Sequence, residues 1–111
     1  MDSLKTGKGV LKKEAEALLR VMEKLDSAFS EAAEIIYQCT GRVVLTGMGK
    51  SGLVCKKIAS TLSSTGTPAL FVHPADSLHG DLGMLQRSDV LIIVSNSGET
   101  DEVLKIIPWI N

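Results

Sequence analysis

Cysteine is scarce in this chain. Cys39 and Cys55 are the only two, they form no CxxC spacing, and the start MDSLKTGKG lacks the apolar core of a signal peptide. Those features exclude a disulfide scaffold and point to reduced thiols in a cytoplasmic protein. An excess of one charge is also missing: twelve basic residues stand against thirteen acidic ones, a formal net charge of -1. No broad positive field offers itself to nucleic acid. No run of 18 apolar residues is present, which excludes a membrane-spanning helix. Internal repeats and low-complexity segments are absent too. So is a serine nucleophile elbow or a catalytic-cysteine pattern, and Cys39 and Cys55 read as packed thiols.

What remains is ordinary globular material. Apolar residues make up 44% and charged residues 23% of 111. A chain of that length forms one domain at most and buries roughly 60 to 70% of its unfolded surface. The small basic clusters, Lys12–Lys13 and Lys56–Lys57, read as solvated helix faces.

Residues 1–10 read as a flexible N-terminus. From Leu11 the apolar residues fall at Leu11, Ala15, Leu18, Met22, Leu25, Phe29, Ala32 and Ile36, in alternating steps of four and three. The spacing predicts one long amphipathic helix over 11–39, closed by a left-handed cap at Gly41. Such a seam suits a partner helix of the same chain or of a second one, and both remain open.

An α/β portion follows over 42–111. RVVLT, PALFV and DVLIIV read as short buried strands, with helices predicted over about 51–64 and 100–110. Continuous β-branched runs separated by helices indicate a parallel sheet covered on both faces, hence a three-layer α/β/α sandwich of about three strands, fewer than a doubly wound sheet usually has. Right-handed crossovers then bring GMGKSG, HPADSLHGD and SNSGET to the carboxyl ends of their strands, the edge where open α/β sheets bind ligands.

The first of these loops, Gly47–Gly52, turns tightly and sets Ser51 to cap the next helix, whose amides and dipole suit an anion. It lacks the length of a P-loop, and no acid closes the second strand as a dinucleotide site requires. A structural turn, an anion site and a dinucleotide site stay open on these residues alone. In the third loop Ser95, Ser97 and Thr100 gather hydroxyls on one helix start, around Asn96 and Gly98. Such a cluster either caps a helix or surrounds a phosphate. Two helix starts at one sheet edge favour a phosphorylated small molecule. Lys50, His79, Asp81, Glu99 and Glu102 supply ionisable groups around it. His79, with His73 and Asp81 near it in sequence, is the one candidate metal ligand, although nothing brings three ligands to one point. No cofactor is indicated.

VVLTGMGKSG, STGTPALFVHPADSLHGDLGM and DVLIIVSNSGETDEVLKIIP closely resemble the sugar isomerase (SIS) domain, and within it the arabinose 5-phosphate isomerases. The resemblance is dense over about residues 40–110. It implies a five-stranded parallel sheet, a homotetramer and a phosphorylated pentose at the carboxyl edge, with no nucleic acid or membrane partner. The phosphosugar-binding residues map to Gly49, Ser51, Ser95, Asn96, Ser97 and Thr100. The active-site lysine maps to Lys50, the loop histidine to His79 and the helix carboxylate to Glu102. A glutamate and a histidine that the family assigns to ring opening and proton transfer lie farther along than this sequence runs, as do its CBS domains. Leu53 departs from the histidine that close relatives often carry there. The chain is thus read as the N-terminal part of an SIS domain and as an aldose–ketose isomerase. A non-catalytic phosphosugar-binding regulator and a purely oligomerising piece are the alternatives.

Overall fold

A computed structural model describes residues 1–75 and 81–95. They form two compact units, Met1–Glu34 and a second that begins at Ile35. In the first, helix α1 spans Ser3–Lys24 and helix α2 begins at Ser27 and runs to Tyr37. The single helix expected over 11–39 is therefore two, and the segment expected to be flexible is largely helical. Local side-chain bonds explain both differences. Asp2 caps α1, its carboxylate accepting the Lys5 amide at 3.0 Å. Farther on, Leu25 is extended (φ -65°, ψ 134°) and the Asp26 carboxylate accepts the Ala28 amide at 2.9 Å. An aspartate that can cap a new helix competes with continuing the old one, although the apolar period runs straight through.

The second unit holds β1 (Val43–Gly47), α3 (Gly49–Ser64), β2 (Ala69–Phe71), a single 3-10 turn (Asp81–Met84) and β3 (Val90–Val94). All three strands are parallel, in the order β2-β1-β3. The expected α/β fold with a parallel sheet is observed. The central strand is the most enclosed, with every residue from Val43 to Gly47 buried. Its Val43 and Leu45 meet Cys55 and Ala59 of α3, and Ile36, Cys39, Leu62, Ala69, Phe71, Ile92 and Val94 pack around them. Gly52, Cys55 and Ala59 are the buried residues of α3, spaced to line one helix face with small side chains that let the helix lie close on the sheet. Behind it, Gly66 at φ 101° closes the helix, with the Thr67 amide donating to the Leu62 carbonyl at 2.9 Å and the Gly66 amide to the Ser63 carbonyl at 3.4 Å. This pair of bonds is a Schellman cap, and the positive φ is why glycine stands there.

At the amino edge, the start of β1 is tied to the start of β3. The Asp89 carboxylate accepts the amides of Arg42 (2.8 Å) and Gln86 (2.9 Å) and the Arg42 guanidinium (3.3 Å), which also donates to the Met84 carbonyl at 2.8 Å. Gly41 takes part by being small. A Cβ there would lie 2.5 Å from Asp89 Oδ1 and 2.7 Å from the Ser88 carbonyl. The left-handed cap expected at Gly41 is thus corrected: its φ is not positive, and the glycine answers to close approach. The Cys39 thiol donates to the Ser88 carbonyl at 3.4 Å, packed as expected.

Backbone hydrogen bonds from Arg42 and Gln86, then the Arg42 guanidinium, hold Asp89 below the usual carboxylate range. A carboxylate whose folded value is depressed adds stability that is fully present above its unfolded value and is lost as pH falls through the folded one. Asp89→Asn, which removes the charge and faces two backbone donors with an amide, should lower the urea midpoint at pH 7. The gap between wild type and variant should narrow as pH falls below about 4. A gap independent of pH would show that Asp89 acts by packing alone.

Candidate functional site

The carboxyl edge of the sheet is built by strand register. Gly47, the last residue of β1, pairs with Val94, the last of β3, so the chain leaves the two strands side by side, at Met48 and at Ser95. The crossover from β1 through α3 runs to β2, away from β3. The gap between β1 and β3 is therefore the point where strand order reverses, the crevice in which open α/β sheets take ligands.

Glycine chemistry shapes the loop above that gap. A Cβ on Gly47 would stand 2.8 Å from the Val94 carbonyl and 3.2 Å from the Ser51 backbone, and one on Gly52 would stand 2.6 Å from the Gly47 carbonyl. The first turn of α3 is pressed onto the end of β1 with only hydrogen atoms between. Gly49 adopts φ 56°, the left-handed turn that swings the chain from strand to helix. Met48 is the N-cap and has no side-chain capping bond. The expectation that Ser51 caps the helix is thus corrected: Ser51 sits inside the first turn. The first bond back to the cap comes from Gly52, whose amide donates to the Met48 carbonyl at 3.3 Å. Gly49, Lys50 and Ser51 thus hold the first-turn amides that helix geometry leaves without an intrahelical acceptor, at the positive end of the dipole.

Among the expected site residues, the structure brings Gly49, Lys50 and Ser51 onto this one turn, with Lys50 and Gly49 exposed and Ser51 half-buried. Ser95 follows β3 directly and is half-buried. Asn96, Ser97, Thr100, Glu102 and His79 lie outside the described residues, as does Glu99. Among the described residues no three His, Cys, Asp or Glu side chains gather as metal ligands. His73 uses Nδ1 to accept the Ala75 amide at 3.1 Å, a bond internal to its own loop. Its ring meets Phe71 edge-on, and the Lys56 ammonium lies 5.2 Å from the centre of the Phe71 ring.

Two features escaped sequence reasoning. The Arg42–Asp89 tie is one; acids and bases 47 residues apart carry no local signal. Thr46 is the other. It is fully buried one residue before the loop, and its hydroxyl has no hydrogen-bond partner among the described residues. A polar residue near the end of an otherwise apolar strand was the available sign. Beneath the loop, burial pushes the Cys55 thiol up against the smaller effect of a hydrogen bond with the Val94 backbone. Cys55 donates to the Thr46 carbonyl at 3.5 Å and is a packed thiol, not a nucleophile.

The SIS domain matches residues 35–110. The chain belongs to the SIS domain family. Arabinose 5-phosphate isomerase KdsD of Yersinia pestis is 49% identical over 108 residues, 97% of this chain and 33% of that protein. Arabinose 5-phosphate isomerase GutQ of Shigella flexneri is 52% identical over 105 residues, 95% of this chain and 33% of that protein. This SIS chain spans about a third of the length of such relatives. A protein of Escherichia coli CFT073, solved in complex with arabinose 5-phosphate, superposes with a TM-score of 0.90 at 42% identity, covering 97% of this chain and 57% of its own.

Two glycine variants test the architecture of the loop. Gly52→Ala forces a Cβ against a backbone oxygen that cannot step aside, and should cost about 1–3 kcal/mol in urea unfolding. Gly49→Ala has open space around it and meets only the left-handed φ, at about 1–2 kcal/mol. Equal stability of Gly52→Ala and wild type would contradict the close approach. For Thr46→Val, which replaces by a methyl a buried hydroxyl with no partner among the described residues, stability should be unchanged or higher.

Proposed function

We propose that the chain is the phosphosugar-binding part of a cytoplasmic, homo-oligomeric arabinose 5-phosphate isomerase, interconverting D-arabinose 5-phosphate and D-ribulose 5-phosphate. The observation that carries the reading is the pairing of Gly47 with Val94, which starts two ligand-type loops side by side at one sheet edge. The names of the relatives and the arabinose 5-phosphate held by the structural neighbour support the choice of ligand. Free cysteines and the lack, among the described residues, of any helix long and apolar enough to cross a membrane agree with the compartment proposed.

In this reading the phosphate is gripped by Ser51, Ser95, Ser97 and Thr100, with Gly49 allowing close approach and Asn96 lining the loop. Hydrogen bonds to a dianion are charge-assisted, and a helix start adds its dipole. The reaction removes the proton from C2 of the aldose while the C1 oxygen gains one, giving a cis-enediol. A proton then returns to C1 as the C2 hydroxyl loses its own, and the ketose results with no net redox change. Lys50 stabilises the developing enediolate oxygen, Glu102 orients a hydroxyl or the lysine, and His79 exchanges protons with the sugar oxygens.

Calorimetric titration with ribulose 5-phosphate should show at least tenfold weaker binding by a Ser97→Ala, Thr100→Ala double variant. Each lost bond to a charged group is worth about 1.5–3 kcal/mol, and tenfold is about 1.4. Conversion of arabinose 5-phosphate by the complete enzyme should fall about 10²- to 10³-fold in kcat for Lys50→Met, with a smaller change in KM. Tight binding with no turnover in wild type would instead assign a non-catalytic phosphosugar-sensing module. Unchanged affinity in the double variant would remove the phosphate assignment itself.

A further inference from the structure

One side chain governs how the chain leaves β2. Phe71 ends the strand, and a helix begins at Pro74, which is fully buried, and Ala75. His73 stands at the N-cap position before them, where the first helical amides need an acceptor. Its Nδ1 accepts the Ala75 amide at 3.1 Å, the bond that a capping side chain makes to the second residue of a helix. Accepting there leaves Nδ1 without a proton, so the hydrogen of the neutral ring is on Nε2. Proline at the first helical position gives up no hydrogen bond and arrives with its φ set, and it also holds the residue before it extended. With residues 73 and 74 restricted in this way, the direction taken at Ala75 depends on the His73 acceptor.

The cap is itself braced. The His73 ring meets Phe71 edge-on, with centroids 6.5 Å apart at 83°, and a Cβ on Gly52 would lie 3.4 Å from the tip of Phe71. Phe71 therefore stands against both His73 and the first turn of α3, the turn that carries Lys50. Because β2 lies across β1 from β3, this part of the chain meets the sheet edge on the side opposite Ser95. A phosphate grip built between β1 and β3 does not pass through His73, whereas His79 follows it in sequence by six residues. We propose that His73 is a positioning residue of the isomerase, capping the helix that begins at Pro74 so that the chain leading to His79 sets out in one direction. This role rests on the reading of His79 as a proton-exchanging group. It requires an acceptor one bond beyond Cγ and does not require an imidazole; the Oδ1 of an asparagine occupies the same place along the side chain.

Four variants of the complete enzyme, followed by conversion of arabinose 5-phosphate, separate the acceptor from the ring. His73→Asn and His73→Ser keep a capping oxygen and discard the ring, whereas His73→Phe and His73→Leu keep apolar bulk against Phe71 and discard the acceptor. His73→Phe and His73→Leu should lose about 10- to 100-fold in kcat with KM within about threefold of wild type, since a small displacement costs orientation while the phosphate grip is made elsewhere. His73→Asn and His73→Ser should stay within about threefold of wild type in kcat. A role in packing alone would give the reverse order, with His73→Phe tolerated best. Unchanged turnover in His73→Phe and His73→Leu, lost turnover in His73→Asn and His73→Ser, or a rise in KM without a fall in kcat would each overturn the assignment. Should His73→Phe and His73→Leu fail to fold by circular dichroism, the other two still decide: activity near wild type supports the cap, and its loss overturns it. Failure of the isomerase reading shows differently, as a wild type that binds the sugar phosphate and converts none, and that result would remove the positioning role with it.

Discussion

Contact without side chains, at Gly47 and Gly52, is the constraint on which the ligand edge rests. The first turn of α3 lies so near the end of β1 that a methyl group on either glycine would overlap backbone atoms. Backbone cannot adopt another rotamer, so the approach is fixed more firmly than any packing of leucines would fix it. The α3 face that follows, Cys55 and Ala59 with Leu62 beside them, continues the close fit along β1. Amides at the start of α3 are consequently held at a fixed position relative to the β1–β3 crevice. An anion site made from them needs no induced ordering.

Opposite this edge, Asp89 performs the complementary task. Its side chain is only 3% exposed and collects bonds from Arg42 and Gln86, joining the amino ends of β1 and β3. Register set at one end is inherited at the other, because five consecutive pairs run from Val43↔Val90 to Gly47↔Val94. Because β3 is apolar at every position, its own side chains would tolerate a slip of one residue, which would nevertheless unpair Gly47 from Val94 and carry Ser95 away from the loop after β1. The distance from Asp89 to Ser95 in sequence therefore matters as much as the identity of either residue.

Much of this was legible in the residues themselves. The three strands announced themselves as short β-branched runs, and α3 as a periodic segment behind a glycine loop, because burial on both faces leaves no polar alternation to confuse the reading. The glycines of GMGKSG marked one side of the sheet edge, whereas most of SNSGET lies outside the described residues. What escaped were decisions made by single polar bonds. Asp2 and Asp26 place the helix ends, and the apolar period that predicts one helix is indifferent to both. Ser51 looks like a cap by residue type, yet the left-handed Gly49 starts the helix earlier and leaves Met48 in the cap position. Gly41 shows the same limit: its type announces freedom of φ, whereas its neighbours require only the missing Cβ.

A division of labour follows from how the site is made. Grip on a phosphate draws on backbone amides and small hydroxyls, groups whose positions the sheet and the helix starts dictate, and it places little demand on the remaining side chains. Isomerisation demands more: a base within about 3 Å of one carbon and a cation beside one oxygen, each on a side chain that must be oriented by its surroundings. Of the groups proposed for chemistry, Lys50 stands on the rigid first turn of α3, and it stands exposed. A long, exposed lysine on a fixed turn is well suited to follow charge as it develops and poorly suited to define stereochemistry. In the proposed reading, discrimination between epimeric pentoses would therefore belong to groups that enclose the sugar carbons, whereas the frame of Gly47, Gly49 and Gly52 would serve any ligand that ends in a phosphate.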